Sequence, residues 1–252
     1  TEEQGRGYLS EEAVSIIEEY DAYYKEHRGG PGGGRSLAYE SPDVPDNAYH
    51  DGEMTDLAIT RLGEFKSSEQ PFFMAVGYKK PHLPFNAPKI YWDLYDVDEI
   101  EMADNPYMPE NVSEHFNYNF GELRNYARIP KGQELFDESL SRDLKHGYYA
   151  CVSYIDAQIG RILDGLKQNG LEKNTIVILW GDHGWKLGEH GMWCKHTQFE
   201  LDSHVPLIVK VPGKTTGSVK TDALVEFVDI YPSLCELAGL DLPDHLQGAS
   251  FV

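Results

Sequence analysis

An aspartate and a histidine, Asp182 and His183, stand between two glycines directly after Thr175 to Trp180, a run of β-branched and apolar residues that reads as a buried strand. A carboxylate beside an imidazole, in a backbone that glycine lets approach a ligand closely, suits a divalent cation held next to an anionic group. The same pair also fits a hydrogen-bonded turn. A second apolar run, PFFMAVG over 71–77, leads straight into Tyr78-Lys79-Lys80-Pro81-His82-Leu83-Pro84-Phe85, where the prolines forbid helix and hold a lysine pair and His82 on a stiff loop. If the two runs are parallel strands of one sheet, their C-terminal ends share an edge. Lys80, His82, Asp182, His183 and the loop running to Lys195 then face one crevice. Such a set fits a dianionic oxyanion ester: a metal neutralises charge on the ester oxygens, lysine holds the remainder, and a histidine protonates the departing alcohol. Sulfate and phosphate esters both satisfy it, and no nucleophile is evident.

The elements that must position these groups follow from periodicity. Ser10 with Glu11 and Glu12 opens a helix whose stripe is Ala13, Ile16, Ile17 and Tyr20, and the spacing predicts a second helix over Asp51 to Phe65 with Met54, Ala58, Ile59 and Leu62 on one face. Leu144, Tyr148, Cys151, Ile155, Ile159, Ile162 and Leu166 recur at three and four within Ser141 to Gly170, the clearest helix of the chain. VPLIVKV over 205–211 reads as a further strand, and a helix closes the sequence near Ile230 to Ala238. The alternation predicts an α/β fold, a mostly parallel sheet with helices on both faces. Between them, 86–136 is an aromatic, prolyl and polar insertion that serves as a substrate loop or as packing. The glycine cluster at 29–35 reads as a surface loop, having neither a preceding strand nor a following GK[ST].

The 252 residues suffice for one large domain, and 42 acidic against 22 basic residues give a net charge of -20. That field repels nucleic acid and anionic membranes, so an anionic substrate needs a local basic site. The longest apolar run is about six residues, against roughly 20 for a membrane span. Three cysteines, Cys151, Cys194 and Cys235, show no CxxC pairing and define neither a zinc site nor a disulfide framework. Asn111-Val112-Ser113 is a glycosylation triplet of a kind common by chance.

The segments PFFMAVGYKKPHLPF, ACVSYIDAQIGRIL, GDHGWKLGEHGMWCK, SHVPLIV and ALVEFVDIYPSLCELAGL resemble the type I sulfatases of the alkaline-phosphatase-like superfamily, in particular the iduronate-2-sulfatase subfamily. The resemblance runs from about Asp51 onward. It implies a sulfuric ester hydrolase acting on a sulfated saccharide, with Asp182 and His183 as ligands of one Ca2+ and Lys195 on the sulfate and bridging oxygen. It places His82 on the leaving-group side as acid or sulfate ligand, gives Asp182 a further role in orienting the nucleophile, and leaves Lys80 as a possible substrate contact. His190 is either a further site residue or a brace for the loop. Type I sulfatases carry their nucleophile, formylglycine, in a C/S-x-P-x-R motif that none of Cys151, Cys194 and Cys235 matches. The resemblance therefore implies the central, incomplete part of a catalytic domain over 1–252, lacking N- and C-terminal parts and inactive alone, from a secreted, periplasmic or lysosomal enzyme. Two alternatives stand beside it: a phosphoesterase or phosphonate hydrolase of the same superfamily, and a non-catalytic homologue that binds sulfated glycans.

Overall fold

The computed structural model describes residues 7–28, 35–68, 70–116, 120–132, 134–217 and 219–252. Most of the glycine cluster at 29–35 thus lies outside the described residues. In chain order the elements are α1 (Glu11–Arg28), β1 (Tyr39–Glu40), α2 (His50–Phe65), β2 (Phe85–Asn86), α3 (Lys89–Trp92), α4 (Gly121–Arg124), α5 (Glu138–Gln168), β3 (Val177–Trp180), β4 (Lys186–Leu187), β5 (Trp193–Cys194), α6 (Glu200–Ser203), β6 (Leu207–Lys210) and α7 (Ile230–Leu237). They fall into two compact units, 1–212 and 213–252.

The spine of the first unit is α5. Its 31 residues span about 46 Å at 1.5 Å per residue. Asp137 caps its start by accepting the Leu140 amide at 2.8 Å, and the chain leaves it through Gly170 in a left-handed conformation (φ 71°). The periodic stripe is its inner face: Leu144, Ala150, Cys151 and Tyr154 are fully buried with Phe85, Leu123 and Met192 in one apolar cluster. Helix α2 lays Ala58 and Leu62 against the far end of α5, where the absent side chain of Gly165 leaves room for Ile59 and Leu62. The amphipathic patterns of α1, α2 and α5 thus resolve as helices close to their expected limits, since each buries one stripe.

Residues before α2 are more ordered than their composition suggests. Glu40 on β1 is buried and accepts the Leu9 and Ser10 amides at 2.9 and 3.0 Å, capping the approach to α1, and also accepts the Tyr49 hydroxyl at 2.7 Å. Strand β1 pairs in parallel with β2, Tyr39 opposite Phe85, which fixes the loop ending at Phe85.

The fold class is α/β, mixed helix and sheet, with departures in the pairing of its strands. Strand β3 is bonded to β6 in antiparallel register, Val177 opposite Lys210 and Trp180 opposite Leu207. Residues 71–77 form neither helix nor ladder-bonded strand, and alternate between exposed and half-buried with no ladder partner among the described residues. The parallel pairing of 71–77 with β3 expected from the sequence is therefore not formed; an apolar run encodes burial, whereas its ladder partner is set by distant chain. In the unit 213–252, Asp229 receives the Glu226 and Ala249 amides at 2.9 and 2.8 Å and anchors the start of α7.

Candidate functional site

A cleft of about 510 Å³ is lined among others by Tyr49, Lys80, His82, Tyr148, Asp182, His183 and Trp185, and three chain segments build it and the cluster around Lys195 that adjoins it through His82. The first is the loop 78–84. Asp51, buried near the start of α2, accepts the Lys79 and Lys80 amides at 3.0 Å each, so one carboxylate pins the loop by its backbone. The Lys80 ammonium turns back onto the loop, donating to the Pro84 carbonyl at 2.5 Å and the His82 carbonyl at 3.5 Å. Burial pushes its pKa below the ordinary lysine value. Lys80 lines the cleft while its charge is engaged by carbonyls of its own loop.

The second segment is the glycine-bounded turn after β3 and the hairpin that follows. The Gly184 amide donates to the Asp202 carbonyl at 2.8 Å, and a Cβ on Gly184 would lie 1.9 Å from the Leu201 carbonyl oxygen, so this close approach requires glycine. Strands β4 and β5 pair Lys186 with Cys194 and Leu187 with Trp193, delivering Lys195 at the hairpin's end. Lys195 lies between two residues with left-handed backbone, Cys194 (φ 66°) and His196 (φ 94°), conformations that persist where surrounding structure imposes them. Here the imposing structure is a buried ion pair between Lys186 and Asp202, with Thr197 donating its amide to Asp202 at 2.9 Å.

The third segment is α4, which the sequence does not mark. Leu123 is fully buried, and the Arg124 guanidinium donates to the Pro130 and Glu134 carbonyls at 2.8 and 2.6 Å beneath the rings of Phe120 and Phe136. So held, α4 projects Glu122 into the site. The Lys195 ammonium donates to Glu122 Oε2 at 3.0 Å and to His82 Nε2, and lies 4.6 Å from the Trp185 ring centroid. Glu122 Oε1 lies 3.2 Å from His82 Nε2 and 3.9 Å from Arg35, whose guanidinium also donates to the Glu122 carbonyl at 3.0 Å.

Proton positions follow from these partners. His82 Nδ1 faces the Leu83 carbonyl at 2.9 Å, and a carbonyl only accepts, so Nδ1 carries the proton and Nε2 presents its lone pair to Lys195. Burial lowers the His82 pKa; the Leu83 bond opposes this, Lys195 adds to it, and the net shift favours the neutral ring. For Glu122, burial resists ionisation, yet the Lys195 bond, His82 and Arg35 outweigh it and hold the carboxyl below its usual value.

Asp182 and His183 sit at the rim of the cleft. The Asp182 side chain is 86% exposed, its Oδ1 accepting the His183 amide at 3.0 Å and its Oδ2 lying 3.7 Å from His183 Nε2. His183 Nδ1 donates to the Gly184 carbonyl at 2.9 Å, leaving Nε2 with a lone pair. This donor set supplies one carboxylate and one available imidazole nitrogen toward a cation, and among the described residues no three His, Cys, Asp or Glu side chains cluster as a metal site. His190 is not a cleft-lining residue: its ring packs on Phe199 at 4.5 Å and its amide donates to Asn105. The three cysteines are free and buried, and burial pushes the Cys151 and Cys194 thiols up to about 12, away from reactivity.

Comparison with known proteins decides the family. The sulfatase family model matches residues 14–240. The chain belongs to the sulfatase family. Among its curated relatives is iduronate 2-sulfatase of Mus musculus, 34% identical over 240 residues, which cover 83% of this chain and 43% of the relative. The chain therefore spans less than half the length of that sulfatase. Among solved structures, phosphonate monoester hydrolase from Silicibacter pomeroyi shares the fold with a TM-score of 0.72 and 24% identity, over 98% of this chain and 47% of that one. A protein solved in complex with its substrate D-glucosamine-2-N,6-O-disulfate matches with a TM-score of 0.64 and 23% identity, over 80% of this chain and 51% of its own. The match of a sulfatase model across nearly the whole chain accords with the motif resemblance, and these neighbours support the α/β architecture.

Proposed function

We propose that this chain forms the leaving-group and cation-binding wall of a sulfuric ester hydrolase that acts on a sulfated saccharide. One observation carries the reading: Lys195, 113 residues from His82, donates to its Nε2, and His82 lines one cleft with Asp182 and His183. Lys195 supplies the positive charge that offsets a sulfate oxygen, and the Lys195 and His82 pair carries a proton within reach of a departing alcohol oxygen. Trp185 and Tyr148 give the cleft an aromatic wall on which a sugar face can rest. Lys80 takes part as a brace that shapes the His82 loop.

Asp182 and His183 would hold one divalent cation, Ca2+ by family resemblance, which supplies charge neutralisation at the ester oxygens. The nucleophile of this reading is formylglycine, whose C/S-x-P-x-R motif does not occur in these 252 residues, so the chain alone binds and does not turn over. The insertion 86–136 borders the substrate in this reading, supported by the entry of Glu122 into the site from its α4. The expected location is secreted, periplasmic or lysosomal.

The test is sulfate release from an aryl sulfate and from a sulfated disaccharide by a polypeptide of the relatives' length containing this chain, with Lys195→Ala beside the wild type. Loss of about 10²-fold or more in kcat/KM on the substitution supports the reading. Faster hydrolysis of a phosphonate monoester overturns it in favour of a phosphonate hydrolase, and binding of sulfated glycan without any turnover leaves a non-catalytic homologue.

A further inference from the structure

The carboxylate of Glu122 occupies the seat that an oxyanion would take. Its two oxygens lie 3.0 Å from the Lys195 ammonium and 3.2 Å from His82 Nε2, with Arg35 at 3.9 Å, and both Lys195 and Glu122 are about 15% exposed. One carboxylate oxygen taking the Lys195 ammonium, with the other held beside His82 and Arg35, stands where two oxygens of a sulfate group would. A sulfate arriving while Glu122 stays would meet a like charge at contact range in a half-buried site, where screening is weak.

We infer that Glu122 is an internal anion that holds the seat closed and must be displaced before a sulfate group binds to Lys195 beside His82. The inference rests on the proposed use of Lys195 and His82 as the oxyanion seat. Displacement requires only rotation of the side chain, since the backbone of α4 is fixed by Leu123 and Arg124. The cost of expelling Glu122 falls equally on a sulfate ester and on free sulfate. It therefore weakens both without altering their ratio: an ester, with further contacts along the aromatic wall, still binds at concentrations where inorganic sulfate, which has none, leaves the seat to Glu122.

The experiment is calorimetric titration of the 252-residue chain with sodium sulfate at constant ionic strength. Glu122→Gln is expected to bind sulfate about tenfold or more tightly than wild type, and Lys195→Ala added to Glu122→Gln to abolish the gain. Asp164→Asn, which removes one negative charge from an exposed position of α5, is expected to leave the affinity unchanged. Equal or weaker binding by Glu122→Gln, or a gain that survives Lys195→Ala, overturns the inference. A second measurement needs no variant: in 13C-labelled wild-type chain, saturating sulfate is expected to move the Glu122 carboxyl resonance to that of a solvated glutamate, and an unmoved resonance with sulfate bound overturns it. Failure of ester hydrolysis in the longer polypeptide would count against the proposed function alone, because these readouts concern binding of inorganic sulfate.

Discussion

Lys186 and Asp202 form an ion pair closed to solvent, with side-chain exposures of 1% and 3%. Asp202 also takes the Thr197 amide, and the backbone carbonyl of the same residue takes the Gly184 amide. One residue thus ties the turn bearing Asp182 and His183 to the hairpin end bearing Lys195.

Asp202→Ala leaves a buried ammonium without its partner and is expected to cost about 3–5 kcal/mol of stability, read from denaturant midpoints. Lys186→Met with Asp202→Leu is expected to recover part of that, because the charge is gone while the Thr197 and Gly184 segments stay apposed. A double variant as unstable as Asp202→Ala would show that the hydrogen bonds to Asp202, rather than charge pairing, hold the turn.

Gly184→Ala places a methyl group against the Leu201 carbonyl, 1.9 Å from its oxygen, and the backbone must separate. The expected loss is about 1–3 kcal/mol. Hydrogen exchange at the residue 184 amide should rise with it, and unchanged protection there would refute the tight fit.

Asp51→Ala removes the acceptor shared by the Lys79 and Lys80 amides. Two bonds to a charged acceptor vanish at a buried position, an expected loss of about 2–4 kcal/mol. Exchange of those two amides is the local readout, and global destabilisation without faster exchange at 79 and 80 would contradict the pinning role.

Glu122 gives the stability a pH dependence of definite sign. Its folded pKa lies below the unfolded value of about 4.3, so its contribution is complete above that value and disappears as pH falls through the lower, folded one. The melting-temperature advantage of wild type over Glu122→Gln is therefore expected to be constant from pH 7 to about 5 and to shrink toward pH 3. An advantage that grows on acidification would reverse the assignment.

The helices were legible because amphipathic periodicity is local information, as in the Leu144 to Leu166 stripe of α5. The gathering of His82, Asp182 and His183 at one cleft was also foreseeable, since each follows an apolar run. Its route was different: 71–77 and β3 form no common ladder, and the His82 loop is instead fixed by Asp51 and by the pairing of β2 with β1. Glu122 and Arg35 gave no signal. Glu122 lies on the four-residue helix α4 and Arg35 in a loop, and the meeting of Glu122 with Lys195 across 73 residues and with Arg35 across 87 is a product of tertiary packing alone.

The unladdered run 71–77 has a consequence for handling the protein. It holds up a row of amides and carbonyls with no ladder partner among the described residues, beside a Phe73 ring that is 81% exposed. Such a run is a template onto which another molecule's backbone can zip. Concentrated solutions of the chain are expected to scatter light and sediment as oligomers, and Phe73→Lys to delay the onset, which makes dilution the first variable to control at the bench.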